Sequence, residues 1–424
     1  MTGLSDKQRK QVDAIASLVT QPDLASITQG VELATALGDQ EVFGELLSGL
    51  RSNNPTTSRI TLRRRFPTPH RATMFDRSGE MQAWLDLAMV HLLAASDLPV
   101  RTEVTSVALG TAIRNHANPP PRMWVAGLER LTALTHLDLH LTSGDDDLDL
   151  SVLGQLPNLT HLRVRGRPLP GPIPPMAKLE TLNGEKFQLE PGTPFPALQF
   201  IRGEFVRCGS ITPETMPNLT EVEARGSITF DGYETLDRVS CIGGDVSVLG
   251  CRNIGHLSLH VNSFEAPDLR HVGLLDRASP GLNVSQLESL DQLQLSRKSK
   301  FTGGTFPAGT QLIDSQIILW GSVVTTLGNI GELPGLEVLL IPHVAAPVSL
   351  DTLRHATDLR VLDIRYSPGV TDLSPLRQLP KLEVLVLDDP DRFDIPEELV
   401  GKVQRFWRRY QLDEETKKDL RAKF

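Results

Sequence analysis

From about residue 131 the apolar positions of this chain fall into one recurring phrase, Leu-x-x-Leu-x-x-Leu-x-Leu. Leu131, Leu134, Leu137, Leu139 and Leu141 carry it in LTALTHLDLHL, and Leu156, Leu159, Leu162 and Val164 carry it in LPNLTHLRV. Weaker copies follow at Leu179/Leu182, Leu198/Ile201, Leu219/Val222, Ile254/Leu257/Leu259, Leu269/Val272/Leu274 and Leu287/Leu290/Leu293/Leu295. The last three are the clearest: Leu336, Leu339 and Ile341; Leu359, Leu362 and Ile364; Leu382, Leu385 and Leu387. Their step is 23 residues both times, and elsewhere it runs from about 15 to 25.

The Leu-x-Leu part alternates, which predicts a short strand with one face buried. The preceding Leu-x-x-Leu turns the chain into that strand. A single coil of this kind cannot bury its apolar face alone, so the pattern predicts coils stacked in single file. The segment SPGVTDLSPLRQLPKLEVLVL resembles an internalin-type leucine-rich repeat. Val370, Thr371, Asp372, Leu373, Ser374, Pro375 and Leu376 match the stretch that forms that family's convex side. The resemblance covers about residues 125–395. It implies an α/β horseshoe-shaped leucine-rich-repeat solenoid of bacterial type, with a binding role and no catalytic residues. The asparagine that such repeats often place after the strand is mostly missing. Gly166, Gly226 and Ser367 lie there instead. An irregular solenoid follows, with no secure register between about 165 and 330.

Residues 1–125 lack the phrase and read as an all-α domain. Val12, Ile15, Leu18 and Val19 recur at helical spacing after a Ser5/Asp6 start. Ile27, Val31, Ala34 and Leu37 form a second stripe that stops at Gly38-Asp39, and Val42, Phe43, Leu46 and Leu47 form a third. Arg51 to Thr73 reads as a long polar loop, and helix is expected again through Trp84, Leu85, Ala88, Leu92 and Leu93 and around Val104–Ile113. The solenoid is assigned to 126–395. Residues 396–424 are assigned to a C-terminal capping helix on the stripe Leu399, Val403, Phe406 and Tyr410. A cap would stop the last coil from aggregating. The basic residues Lys402, Arg405, Arg408 and Arg409 with Trp407 fit a helix that meets a membrane or partner instead.

The net charge is −9, so general affinity for a phosphate backbone is disfavoured and no nucleic-acid partner is expected. The three cysteines, Cys208, Cys241 and Cys251, fit no zinc spacing and read as reduced core thiols of a cytoplasmic protein. No stretch approaches the roughly 18 apolar residues of a membrane helix, and the first residues lack a signal-like apolar core. No phosphate loop, dinucleotide fingerprint or nucleophile elbow is present. No catalytic, cofactor or metal residue is therefore assigned, and the chain is expected not to be an enzyme.

The slots between the buried leucines carry the functional expectation. At the N-terminal coils they are polar: His136, Asp138 and His140, then His161, Arg163 and Arg165. His136 and His161 should stack roughly 5 Å apart on neighbouring strands. In the last coils the slots turn apolar, with Val338 and Leu340, Val361, then Val384 and Val386. An exposed apolar stripe is costly unless a partner or the protein's own C-terminal helix covers it. The acidic run Asp145–Asp147 with Asp149, and the basic cluster Arg63–Arg65, His70 and Arg71, read as solvated loops. The expected role is protein–protein interaction through the concave face, with His136, His161, Arg163, Arg165, Val338, Leu340, Val361, Val384 and Val386 in contact. The rival expectations are an effector whose N-terminal helices act while the repeats select, and a ligase-like enzyme using one of the cysteines.

Overall fold

A computed structural model describes residues 4–21, 24–50, 80–95, 106–109, 127–141, 149–166, 171–206, 210–295, 301–319 and 323–405. The chain divides into two units, Met1–Leu219 and Thr220–Phe424. Each is built mainly of stacked parallel strands resembling a leucine-rich-repeat solenoid, and the first also carries helices.

The first unit opens with α1 (Asp6–Val19), α2 (Leu24–Leu37), α3 (Gln40–Leu50) and α4 (Glu80–Ala95). Ser5 and Gln8 form a reciprocal capping box that satisfies free N–H groups at the start of α1. The expected stripes are buried at Val12, Ile15 and Val19, at Ile27 and Ala34, and at Val42, Phe43, Leu46 and Leu47, whereas Leu18 and Val31 are half-buried and Leu37, at the end of α2, is exposed. Helices α1 and α2 approach so closely that a Cβ on Gly30 would lie 2.6 Å from Val19 Cγ1. Asp39 ends the turn after α2 by accepting from the Glu41 and Val42 N–H groups, and Gln8 donates to it from α1.

The all-α expectation for 1–125 fails at β1 (Ser106–Leu109), where helix was expected. Val107 and Leu109 alternate with small residues, and β1 pairs in parallel with β2 (His136–His140). The parallel order continues through β3 (His161–Arg165), β4 (Thr181–Gln188) and β5 (Phe200–Val206). Val107, Leu137, Leu162, Leu182 and Ile201 stand in register and are all buried. One device recurs where these strands start. The Thr135 carbonyl accepts from both Thr160 and His161 N–H, Thr160 from Glu180 and Thr181, and Glu180 from Gln199 and Phe200. Each coil thereby sets the start of the next.

The second unit resolves the register that the sequence left open. Strands β6 (Glu221–Arg225), β8 (Thr235–Ile242), β10 (Asn253–His260), β12 (His271–Arg277), β13 (Ser289–Leu293) and β14 (Gln311–Leu312) form one parallel face. Strands β7 (Ile228–Asp231), β9 (Asp245–Leu249) and β11 (Ser263–Glu265) form a second sheet. The coil is 18 residues long here: Val239 aligns with Leu257, and Leu257 with Leu275. Such a short coil uses strands where a longer one uses a turn. Gly243 and Gly244, at φ 70° and 67°, make the corner from β8 to β9, and a Cβ on Gly244 would fall 2.2 Å from the Gly226 carbonyl carbon. Leu274, expected in the core, faces outward while Leu275 is buried. Across β8, β10, β12 and β13 the first two buried residues are spaced by three (Leu236 to Val239, Ile254 to Leu257, Val272 to Leu275, Leu290 to Leu293) rather than two, and β10 and β12 pair with a register shift between Leu257 and Ser258.

The last coils are β15 (Gln316–Ile318), β16 (Val338–Leu340), β17 (Val361–Asp363), β18 (Val384–Leu387) and β19 (Val403–Arg405), again parallel. Leu339, Leu362 and Leu385 align at the expected 23-residue step. Ser367, standing where the repeat often has asparagine, is fully buried; its hydroxyl accepts from Val344 N–H at 3.0 Å and donates to the Arg365 carbonyl at 3.1 Å. Ser279 does the same for Val261 N–H at 2.9 Å. The expected C-terminal helix over 396–424 is corrected in part. Glu397–Lys402 is a 3-10 turn, and Val403–Arg405 pairs with β18 as strand, because Val403 continues the sheet opposite Leu385. The rest of that stripe, from Phe406 on, lies outside the described residues. Among the described residues no helix is long and apolar enough to cross a membrane.

Two outcomes follow. Ser367→Ala strands the buried Val344 N–H and should cost about 1–3 kcal/mol in urea unfolding. Burial pushes the His91 imidazole on α4 down to about 4. The folded chain then binds this proton less readily than the unfolded one, so the contribution is complete above the ordinary value of 6.5 and lost as pH falls toward 4. Acidification to about pH 5 should destabilise the wild type by roughly 2 kcal/mol more than a His91→Leu variant, measured by denaturation at both pH values.

Candidate interaction surface

On the first unit, the outward slots of β2 and β3 align as His136 with His161 and Asp138 with Arg163, and the backbone register continues to His140 opposite Arg165. The two imidazoles stack with ring centroids 4.2 Å apart and planes 11° from parallel. Each Nδ1 shares a 2.8 Å hydrogen bond with the hydroxyl of the threonine before it, Thr135 or Thr160. The repeated Thr-His pair therefore holds both rings in one orientation. Burial and the neighbouring His161 push the His136 pKa down. Arg165 reaches diagonally to Asp138, its Nε and Nη2 donating to the two carboxylate oxygens at 3.2 and 2.5 Å. Arg163 stays exposed.

The sheet face of the second unit continues the polar character. Glu221, Arg238, His256, Leu274, Gln292 and Gln311 line up across successive strands. Arg238 pairs with Glu221 at 3.6 Å. His256 is held below its ordinary pKa by burial and by Arg238. Beside this row, Gly255 and Gly273 lie against the preceding coil; their Cβ atoms would come within 2.7 Å of the Asp237 oxygen and 2.5 Å of the Gly255 oxygen. The missing side chains open a shallow groove of about 500 Å³ next to Asp291, Gln292 and Gln311. Its open, polar walls suit a surface partner better than a substrate that must be enclosed.

The apolar stripe of the last coils is narrower than its pattern suggests. Val338, Val361 and Val384 align, as do Leu340, Asp363 and Val386. Val338 is only 5% exposed and so belongs to the core; Leu340, Val361, Val384 and Val386 are half-buried. Packing edge to edge along the ladder covers part of each. Asp363, also 5% exposed, interrupts the row, and sequence reasoning passed over it. Arg365 neutralises it, with Nε at 2.8 and 2.9 Å from the two oxygens and Nη2 at 2.6 Å. At the following corner His343 and Tyr366 hold left-handed φ of 66° and 54°, and their rings stack at 5.0 Å. The alternation of Asp363 and Arg365 two residues apart was the available signal for this charged patch.

Among the described residues no three His, Cys, Asp or Glu side chains converge as metal ligands. Asp149 caps a 3-10 turn by accepting from Ser151 N–H; Asp145–Asp147, the Arg63–Arg71 cluster and Cys208 lie outside the described residues. No family model and no curated protein matches the sequence. Among solved structures the chain is similar to one described as "Crystal structure of TLR13-ssRNA13 complex", at 12% identity and a TM-score of 0.25. The match covers 70% of this chain and 58% of that one, so the functional reading rests on this chain's own residues.

Cys241 and Cys251 are buried, and burial pushes their thiols up to about 12 and about 11. A thiol held protonated is a poor nucleophile. In the native protein at about pH 8, a maleimide reagent should leave Cys241 and Cys251 unmodified, as read by peptide mass spectrometry. Labelling of both should appear only after denaturation. Rapid native labelling at either would favour a nucleophilic role.

Proposed function

We propose that the chain is an interaction protein that holds a protein partner on the outward faces of its parallel sheets and carries out no bond chemistry. The supporting observation is the locking of side chains by their neighbours: the His136–His161 stack and the Asp138–Arg165 fork across adjacent coils, and the Asp363–Arg365 fork within one coil. Side chains held before binding lose little freedom on binding, so such rows lower the ordering cost of an interface. The buried, protonated thiols fit work in a reducing compartment such as the cytoplasm.

Affinity capture from native cells, quantified by mass spectrometry, tests this reading. The bait is the full chain as wild type, Arg163→Glu, Val384→Asp, and Lys381→Glu. Lys381 pairs with Asp358 away from the outward slots and serves as the control. A partner retained by wild type and Lys381→Glu but lost from a folded Arg163→Glu or Val384→Asp is the expected result. A captured set that neither face variant alters overturns it.

A further inference from the structure

The outward face of β2 and β3 has one uncompensated sign of charge. Asp138 is already occupied by the two donors of Arg165. Arg163, in the next slot, is exposed and forms no hydrogen bond or ion pair among the described residues. His136 and His161 present stacked rings whose Nδ1 atoms are both engaged by threonine hydroxyls. A hydroxyl that donates to Nδ1 leaves the ring proton on Nε2. Thr160 Oγ1 also donates to the Thr135 carbonyl at 3.1 Å, so it accepts from His161 Nδ1–H, and His161 gains an Nε2–H donor when its ring is protonated. No described residue hydrogen-bonds either Nε2. Once protonated, the two rings present parallel Nε2–H donors, with ring centroids 4.2 Å apart, beside a guanidinium that is unpaired among the described residues. It sits on a chain whose net charge is −9, so the cationic spot stands out against an acidic background.

We propose that this patch of His136, His161 and Arg163 binds an acidic peptide segment of a protein partner, the stacked imidazoles gripping one carboxylate while Arg163 forks onto another. The inference rests on the interaction reading and names the partner's chemistry at one end of the surface. Carboxylate fits both donor sets: the Nε2–H groups of the protonated rings match its two oxygens, and guanidinium–carboxylate pairing is bidentate. Protonation of the imidazoles completes the pair of Nε2–H donors and adds positive charge, so binding strengthens as pH falls through the histidine range. The groups that face the pair from its own and adjoining strands are Asp138 with Arg165, Arg163, uncharged Ser106 and Thr181, and Glu180 at the start of β4. The pairing of Asp138 with Arg165 keeps its carboxylate from filling the site internally.

The test uses the full chain and a fluorescein-labelled oligoglutamate peptide, read by fluorescence anisotropy, with a labelled oligouridylate in parallel. Binding of oligoglutamate should weaken about tenfold or more in Arg163→Glu, the loss of one charge-assisted fork. It should tighten several-fold between about pH 7.5 and about pH 6 in wild type, and that gain should vanish in His136→Gln/His161→Gln. Thermal melts establish that the variants are folded. Three results overturn the proposal: no oligoglutamate binding, binding indifferent to these residues or to pH, or oligouridylate held by the same residues in preference. If Arg163→Glu abolishes cellular capture while wild type ignores oligoglutamate, the interaction reading stands and the acidic partner falls.

Discussion

The rest of the structure depends on one clamp, the backbone carbonyl at the start of a strand that accepts two successive N–H groups from the next coil. It appears at Thr135, Thr160 and Glu180 in the first unit and at Glu234, Arg252, Arg270, Glu337 and Arg360 in the second. A coil whose leucines face inward can exclude water only against a neighbour, and the clamp fixes where that neighbour begins. Once it is set, register is forced. A slip of one residue would turn Leu362 outward and bring Val361 or Asp363 in. Coils of quite different length can share a sheet because each is fixed at this one point and free to vary elsewhere.

The same constraint makes the surface usable. Strands held in register place outward side chains in rows at fixed separation, and rows let charges meet across coils. Arg360 illustrates it, forking onto Glu383 one coil ahead while lying 4.0 Å from Glu337 one coil behind. Exposed pairs of this kind contribute little to stability. Their effect is to hold side chains in one arrangement, and the character of that arrangement changes along the chain. It is imidazole and guanidinium at β2 and β3, mixed polar on the middle strands, and half-buried aliphatic groups around a neutralised carboxylate at the end.

How much of this the sequence discloses varies by region. Where a coil keeps the full Leu-x-x-Leu-x-x-Leu-x-Leu phrase, as at 131–141 and 336–387, buried positions and cross-strand partners follow from counting, and the His136–His161 stack does too. The middle resists because two periods coexist there. In β8, β10, β12 and β13 the first two buried positions stand three apart, so Leu274 reads as core when Leu275 is. The residues on β7, β9 and β11 form a second sheet that a one-strand repeat does not anticipate. Strand β1 was hidden for a different reason: four residues are too few to show alternation, and its pairing partner lies 30 positions on. Val338 and Asp363 escaped because burial within a row depends on what stands beside it, which a linear pattern does not encode.

The change in coil length carries a consequence for how the chain can tolerate alteration. In the 18-residue coils almost every position is committed to one sheet or the other, and the Gly243-Gly244 corner holds two left-handed residues of which Gly244 has no room for a side chain. An inserted residue there has nowhere to bulge and must shift a whole layer of buried groups. The 23-residue coils keep a 3-10 turn opposite the strand, as at Ser374–Gln378, where extra chain can loop into solvent. Length variation among descendants of this gene should therefore accumulate toward the carboxyl-terminal coils, leaving the middle of the molecule as its fixed ruler.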